Sequence, residues 1–412
     1  MPTMSEADGV LRELLLQQLW FDGDTRLTAT AEGLASADPS VDSGGGATRV
    51  LLAALARTWE QGWQPADVVH MIRRDGSPHG LRLTLALIAE DARLTAASSR
   101  APVGWLDQLD TLGVLREDAP RGVHVWHVAE QRSPEQAWRE VLLLAGRLRL
   151  LFPVPELLPP PSRWGAATPP PHSAPGRAPA RSDDRVLRRV RGLLAKAEST
   201  EFPEEADALT AKAQELMSTH ALDTALLDTA GDTAARDGVR SRRLHVDEPY
   251  VQAKMALLSQ VGEANGVRTV WYRASGIATV VGMPVDLETV ELLFTSLLVQ
   301  AARAMTAAGT AGGAHARSAA FRRSFLLSYA GRIGERLADA RSRATAETAA
   351  SAGVDALPVL RSRQQAVDEV YQELFPGVRG RRSRAFDAAG WMSGRRAADA
   401  ADLPGRRGRL SR

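Results

Sequence analysis

Gly266-Val267-Arg268-Thr269-Val270-Trp271-Tyr272, the turn Arg273 to Gly276, and Ile277 to Val281 form the stretch on which the fold reading rests. Two β-branched runs flanking a glycine-bearing turn predict a β-hairpin. Directly after it, Pro284 opens a segment in which Leu287, Val290, Leu293, Phe294, Leu297 and Leu298 recur at helical spacing. A short antiparallel β element attached to long helices is therefore expected. The fold class is mainly α, with a small α+β domain at the C-terminal end.

Working outward, Tyr250 to Ala264 reads as a helix leading into the hairpin. His245-Val246-Asp247-Glu248 reads as a solvated turn before it. Downstream, a Gly/Ala loop from Ala307 to Ala314 is expected to lead into a helix carrying Phe321, Phe325, Leu326, Ile333 and Leu337. A last helix is expected over roughly Ser362 to Leu374. Together these define a C-terminal domain over 242–375.

Upstream, residues 153 to 182 hold ten of the chain's 23 prolines. Such a run builds neither helix nor sheet, so it reads as a semi-rigid extended linker spanning up to roughly 90 Å. Before it, residues 1–152 read as a helical domain. Val10, Leu11, Leu14, Leu15 and Leu19 make one helical face, and Val50, Leu51, Leu55 and Trp59 another. Pro65 and Ser133-Pro134-Glu135-Gln136 are helix starts. Val123 to Val128 alternates and is short, so it is expected as an edge strand. On a strand His124 and His127 point to opposite faces and make no ligand pair.

After the linker, Asp184 to Glu198 places Val186, Leu187, Val190, Leu193, Leu194 and Ala197 on one stripe, with Arg185, Arg188, Arg189 and Lys196 off it. Pro203 starts a second amphipathic helix, with Glu204, Glu205 and Asp207 in its first turn. Residues 183–230 are thus a helical hairpin. Its segments Lys196-Ala197-Glu198-Ser199-Thr200, Phe202-Pro203-Glu204-Glu205-Ala206 and Lys212-Ala213-Gln214-Glu215-Leu216-Met217 resemble the domain of unknown function 2786 family. A weaker similarity, through Leu292 to Leu298 and Phe321 to Leu326, is to the companion domain that follows this hairpin in actinobacterial and phage-related proteins. The resemblance implies a fold and a neighbourhood that includes mobile elements. It carries no activity, substrate or catalytic residue.

Composition narrows the function. The chain has no cysteine, which excludes disulfides, thiol catalysis and thiolate zinc sites. No run of eighteen uninterrupted apolar residues occurs, and the opening residues do not read as a signal peptide, so a cytoplasmic protein without membrane contact is expected. No metal, cofactor or phosphate-loop motif stands out. Gly390 and Gly394 are spaced for the close approach of two helices. Arginine supplies 48 of the 51 basic side chains, a bias that first suggests a GC-rich coding genome. The formal charge is only +2, but it is unevenly spread. The segment 376–412 holds ten arginines against three aspartates, a surplus of seven that leaves the rest of the chain at −5.

A basic tail on an acidic body is the asymmetry of a nucleic-acid contact, and equally of a solvated terminus or of a tail docked on its own acidic body. The expectation is a non-enzymatic binding or adaptor protein for DNA or RNA. Its candidate contacts are Arg185, Arg188, Arg189 and Lys196 in the hairpin, and Arg379, Arg381, Arg382, Arg384, Arg395 and Arg396 in the tail. One alternative is a protein-interaction scaffold that docks through the aromatic-rich N-terminal domain, seven of the nine tryptophans preceding Gly165. Another is an enzyme whose site is assembled from separated residues of the C-terminal domain.

Overall fold

The computed structural model describes residues 23–74, 76–165, 189–196, 216, 236–273, 275–311, 313–352, 357–378 and 388–401. The face expected from Val10 to Leu19, the hairpin turn and nearly all of its second helix lie outside these residues. The chain divides into two compact units, Met1–Ala174 and Pro175–Arg412.

The first unit is helical: α1 Gly23–Ala37, α2 Gly46–Glu60, α3 Pro65–Arg74, α4 Pro78–Leu94, α5 Ala97–Arg100, α6 Val103–Thr111, α7 Gly122–Glu130 and α8 Pro134–Leu150. The expected starts hold. Pro65 opens α3, and the Ser133 hydroxyl accepts a hydrogen bond from the Gln136 N–H at the head of α8. The tryptophans form the core. Trp59, Trp63, Trp105, Trp126 and Trp138 are each at most 2% exposed, so they cannot be the docking surface their number suggested. Trp59 and Trp164 both meet Trp105 edge to face, at 5.4 and 5.5 Å.

Two expectations are corrected in this unit. Val123 to Val128 is helical, because Val123 and Trp126, one turn apart, are both buried and the alternation of the intervening residues does not decide the element. His124 and His127 therefore share a side of α7, but each already has structural partners. His124 Nδ1 lies 2.9 Å from the Ser40 carbonyl and His127 Nε2 3.0 Å from that of Arg132. Among the described residues no group of three metal-type ligands exists. Secondly, residues 153–165 are packing material of the unit and not spacer. Val154 N–H donates to the Gln61 carbonyl at 2.9 Å, and the Arg100 guanidinium donates to the carbonyls of Trp164 and Gly165.

The second unit contains residues 189–196 (α9), β1 Arg240–His245, α10 Val251–Ala264, β2 Arg268–Tyr272, β3 Ile277–Gly282, α11 Pro284–Ala311, α12 Gly313–Ala316, α13 Ala319–Ala352, α14 Leu357–Leu374 and α15 Ala388–Ala400. The predicted hairpin is present, with Arg268 opposite Val281 and Tyr272 opposite Ile277. It is one edge of a three-stranded antiparallel sheet ordered β1-β3-β2, whose central strand is buried along its whole length. The chain is thus mainly α with one small antiparallel sheet.

Strand β1 was not anticipated. Arg240-Ser241-Arg242-Arg243-Leu244-His245 has no β-branched or aromatic residue, and pairing with β3 supplies what propensity does not. The loop expected from Ala307 to Ala314 is also corrected. Helix α11 runs to Ala311, as its alanines favour, and α12 follows at once. By length and composition Pro284–Thr310 is apolar enough to cross a membrane; here its Leu287, Val290, Leu293 and Leu297 face lies in the core of the unit. α10, α11, α13 and the sheet share that core.

Candidate nucleic-acid interface

Helix α9 is held by its apolar stripe. Val190 and Leu194 are 0% and 4% exposed within the core of the second unit, and Leu193 and Leu216 pack partly against it. Burying each of the first two side chains is worth about 1.5–3 kcal/mol, enough to anchor a short helix that would not persist alone. The opposite side presents Arg189, Arg191 and Lys196 to solvent. Arg185 and Arg188 lie outside the described residues.

Beside α9 is an open cleft of about 480 Å³. One wall is Arg191, Leu194 and Ala195; another is Arg242 of β1; the floor comes from α11 through Glu288, Glu291, Leu292 and Thr295. Arg242 Nη1 lies 2.8 Å from Glu291 Oε2, with both side chains about half exposed. The cleft is thus an arginine pair facing a carboxylate pair. Arg242 was missed by the sequence reading, because the strand that carries it was missed. The strand's sequence offered no signal: Arg240 to His245 shows no apolar alternation, and its exposure does not alternate cleanly either.

The tail residues divide. Arg379, Arg381, Arg382 and Arg384 lie outside the described residues. Arg395 and Arg396 are on α15, which is packed along α13 and is no free arm. A Cβ on Gly390 would stand 3.0 Å from the carbonyl carbon of Phe321, and one on Gly394 2.7 Å from that of Phe325. Only glycine admits that approach, so the packing role read from their spacing is observed. Ala398 completes the stripe at 0% exposure. Arg336 of α13 donates to the carbonyls of Ala398 and Ala401, satisfying the end of α15. Arg332 pairs with Asp399 and with Glu335, and Arg395 reaches Glu335 at 3.2 Å. Hydrogen bonds from Arg332, seconded by Arg395, hold the Glu335 and Asp399 carboxyls below the usual range.

A third polar cluster joins β2, α11, α13 and α14. Arg268 grips Asp368 through two hydrogen bonds of 2.6 and 3.0 Å. Burial pushes the Asp286 carboxyl up, opposed by Arg341 and Arg363. Arg341 also donates to the Ala264 carbonyl at 2.9 Å. Arg268 thus ties β2 to α14, and Arg341 ties α13 to the end of α10.

A helical segment docked on a small sheet-and-helix core through its apolar stripe is the class of arrangement seen here. The family model described as protein of unknown function (DUF2786) matches residues 185–224, the segment to which α9 belongs. No curated protein and no solved structure matches the chain.

Proposed function

We propose that this is a non-enzymatic binding protein whose ligand is nucleic acid, held first at the cleft between α9 and β1. The observation that carries the reading is the convergence of Arg191 and Arg242, far apart in sequence, on one open cleft. Arginine's planar fork suits phosphate oxygens. The Arg242–Glu291 pair is about half exposed and worth at most about 1 kcal/mol, so a phosphate competes for Arg242 against the Glu291 and Glu288 carboxylates of the floor. Arg189 and Lys196 on the same helix are further exposed cations.

The test is anisotropy of labelled duplex DNA, single-stranded DNA and RNA with the full chain at low and moderate salt. Binding should weaken steeply with salt, and Arg191→Ala and Arg242→Ala should each lower the logarithmic salt slope by roughly one. An absence of salt-sensitive binding to all three ligands defeats the reading.

A protein partner for the N-terminal unit is a second reading, now resting on different residues. Val125 and Val128, a turn apart on α7, are 49% and 61% exposed. Paired Val→Ser changes at both positions would abolish such an interaction without unfolding the unit.

A further inference from the structure

Beside the stripe that docks on α13, α15 carries residues that docking does not explain. Trp391 is 40% and Met392 56% exposed, whereas Trp59, Trp63, Trp105, Trp126 and Trp138 are almost wholly enclosed. A turn further along the helix, at the fourth residue from each, stand Arg395 and Arg396, both exposed. Helical geometry places residues four apart on one face. Trp391 with Arg395 and Met392 with Arg396 thus form a ribbon of two apolar and two cationic groups. The ribbon is rigid, because the Gly390, Gly394 and Ala398 stripe beside it is in backbone contact with α13. The described charges around it are Arg332, Arg336, Arg395 and Arg396 against Glu335 and Asp399, four positive to two negative.

We infer that this face is a stacking platform for a base of single-stranded nucleic acid, with Trp391 under the base and Arg395, one turn on, against an adjoining phosphate. An unpaired base offers a π-face that a duplex keeps inside its stack, and the indole is the side chain best matched to it. A cation beside the ring adds attraction for the backbone that carries the base. Arg332 engages both Glu335 and Asp399, which leaves Arg395 and Arg396 as the cationic end of the ribbon that a phosphate meets. The inference rests on the nucleic-acid reading and deepens it: the cleft supplies salt-sensitive affinity, and the platform supplies preference for single strands.

The experiment compares a fluorescein-labelled thymidine oligonucleotide with a duplex of equal length, each titrated with the full chain and with Trp391→Ala, Trp391→Phe and Arg242→Ala. Trp391→Ala should weaken single-strand binding about tenfold and leave duplex binding within about twofold. Trp391→Phe should restore most of the loss, because a phenyl ring still stacks. Arg242→Ala should weaken both ligands. Equal losses on both ligands with Trp391→Ala, or none on either, overturn the platform while the cleft stands on its own variant. If the wild-type chain binds neither oligonucleotide, both fall. If Trp391→Ala changes only self-association in light scattering, the face is an interface between copies and the inference is wrong.

Discussion

Gly394 and Phe325 are in backbone contact across two helices. A methyl group on Gly394 would stand 2.7 Å from the Phe325 carbonyl carbon and 2.8 Å from its Cα. No rotamer change relieves a clash with main chain, so the helices must separate for anything larger than glycine. This contact turns a segment with the charge of a free basic tail into part of the core.

Gly394→Ala should therefore destabilise the second unit by about 1–3 kcal/mol, toward the upper end because the obstacle is backbone. Gly331→Ala is the control. It lies on α13 with nothing within 4 Å of the added carbon, and a helical alanine should stabilise by up to about 1 kcal/mol. Urea unfolding of the full chain followed by circular dichroism separates the two outcomes. Equal stability for both variants would show that α15 does not dock as described.

Asp42 governs the entry to α2. Its carboxylate accepts the N–H groups of Ala47 at 2.7 Å and Thr48 at 2.9 Å, two donors with no partner inside the helix. It also holds the Thr48 hydroxyl, which in turn accepts the Val123 N–H at 3.0 Å. Asp42→Ala should lower the stability of the first unit by about 1–2 kcal/mol, as loss of a helix N-terminal acceptor does. Asp42→Asn, which keeps one acceptor oxygen, should lose less. Thermal melts read by tryptophan fluorescence measure both.

Asp91 lies under the tryptophan core, and burial pushes its carboxyl up to about 6, only partly opposed by the Trp59 indole N–H that it accepts at 3.1 Å. The folded state therefore holds this proton more tightly than the unfolded chain. Between about pH 4 and pH 6 the unfolded chain releases it first, so stability falls as pH rises through that window. Asp91→Asn keeps an acceptor for Trp59 and removes the buried charge. It should raise stability by up to about 3 kcal/mol at pH 7, with the difference vanishing near pH 4. A variant no more stable than wild type at pH 7 would contradict this.

Arg268 and Asp368 give the opposite sign. The Arg268 guanidinium holds the Asp368 carboxyl below the usual carboxylate range, with Gln364 adding a hydrogen bond. The stabilisation is present above the ordinary carboxylate pKa and is lost as pH falls through the depressed value. Both side chains are over a third exposed, so solvent screening limits it. Asp368→Asn should cost at most about 1 kcal/mol at pH 7 and nothing near pH 2. Guanidinium chloride screens the pair, so urea melts at the two pH values are the measurement.

Much of the helical content was legible because its signals are local. Proline at helix starts, the Ser133 cap and apolar residues at helical spacing in α2, α3, α8, α11 and α13 all act within a turn or two. The hairpin of β2 and β3 was legible for the same reason. Strand β1 was not, since six mostly polar residues become a strand only when β3 is there to pair with. Val123 to Val128 misled because alternating apolar residues fit a strand as well as a helix, and contact at Val123 and Trp126 chose the helix.

The candidate site followed the same division. Composition and order of residues determined that the chain is mainly helical, that arginine carries its positive charge, that the last segment is basic, and that Gly390 and Gly394 suit close helix packing. Which arginines share a surface was decided by the tertiary structure. Val190 and Leu194 orient α9 by their burial, and pairing with β3 brings Arg242 beside Arg191. Backbone contact at Gly394 then leaves Trp391 and Arg395 exposed beside the docked stripe. Charge and periodicity are properties of neighbouring residues along the chain, whereas a surface is made by burying everything else, and burial is settled only when distant segments meet.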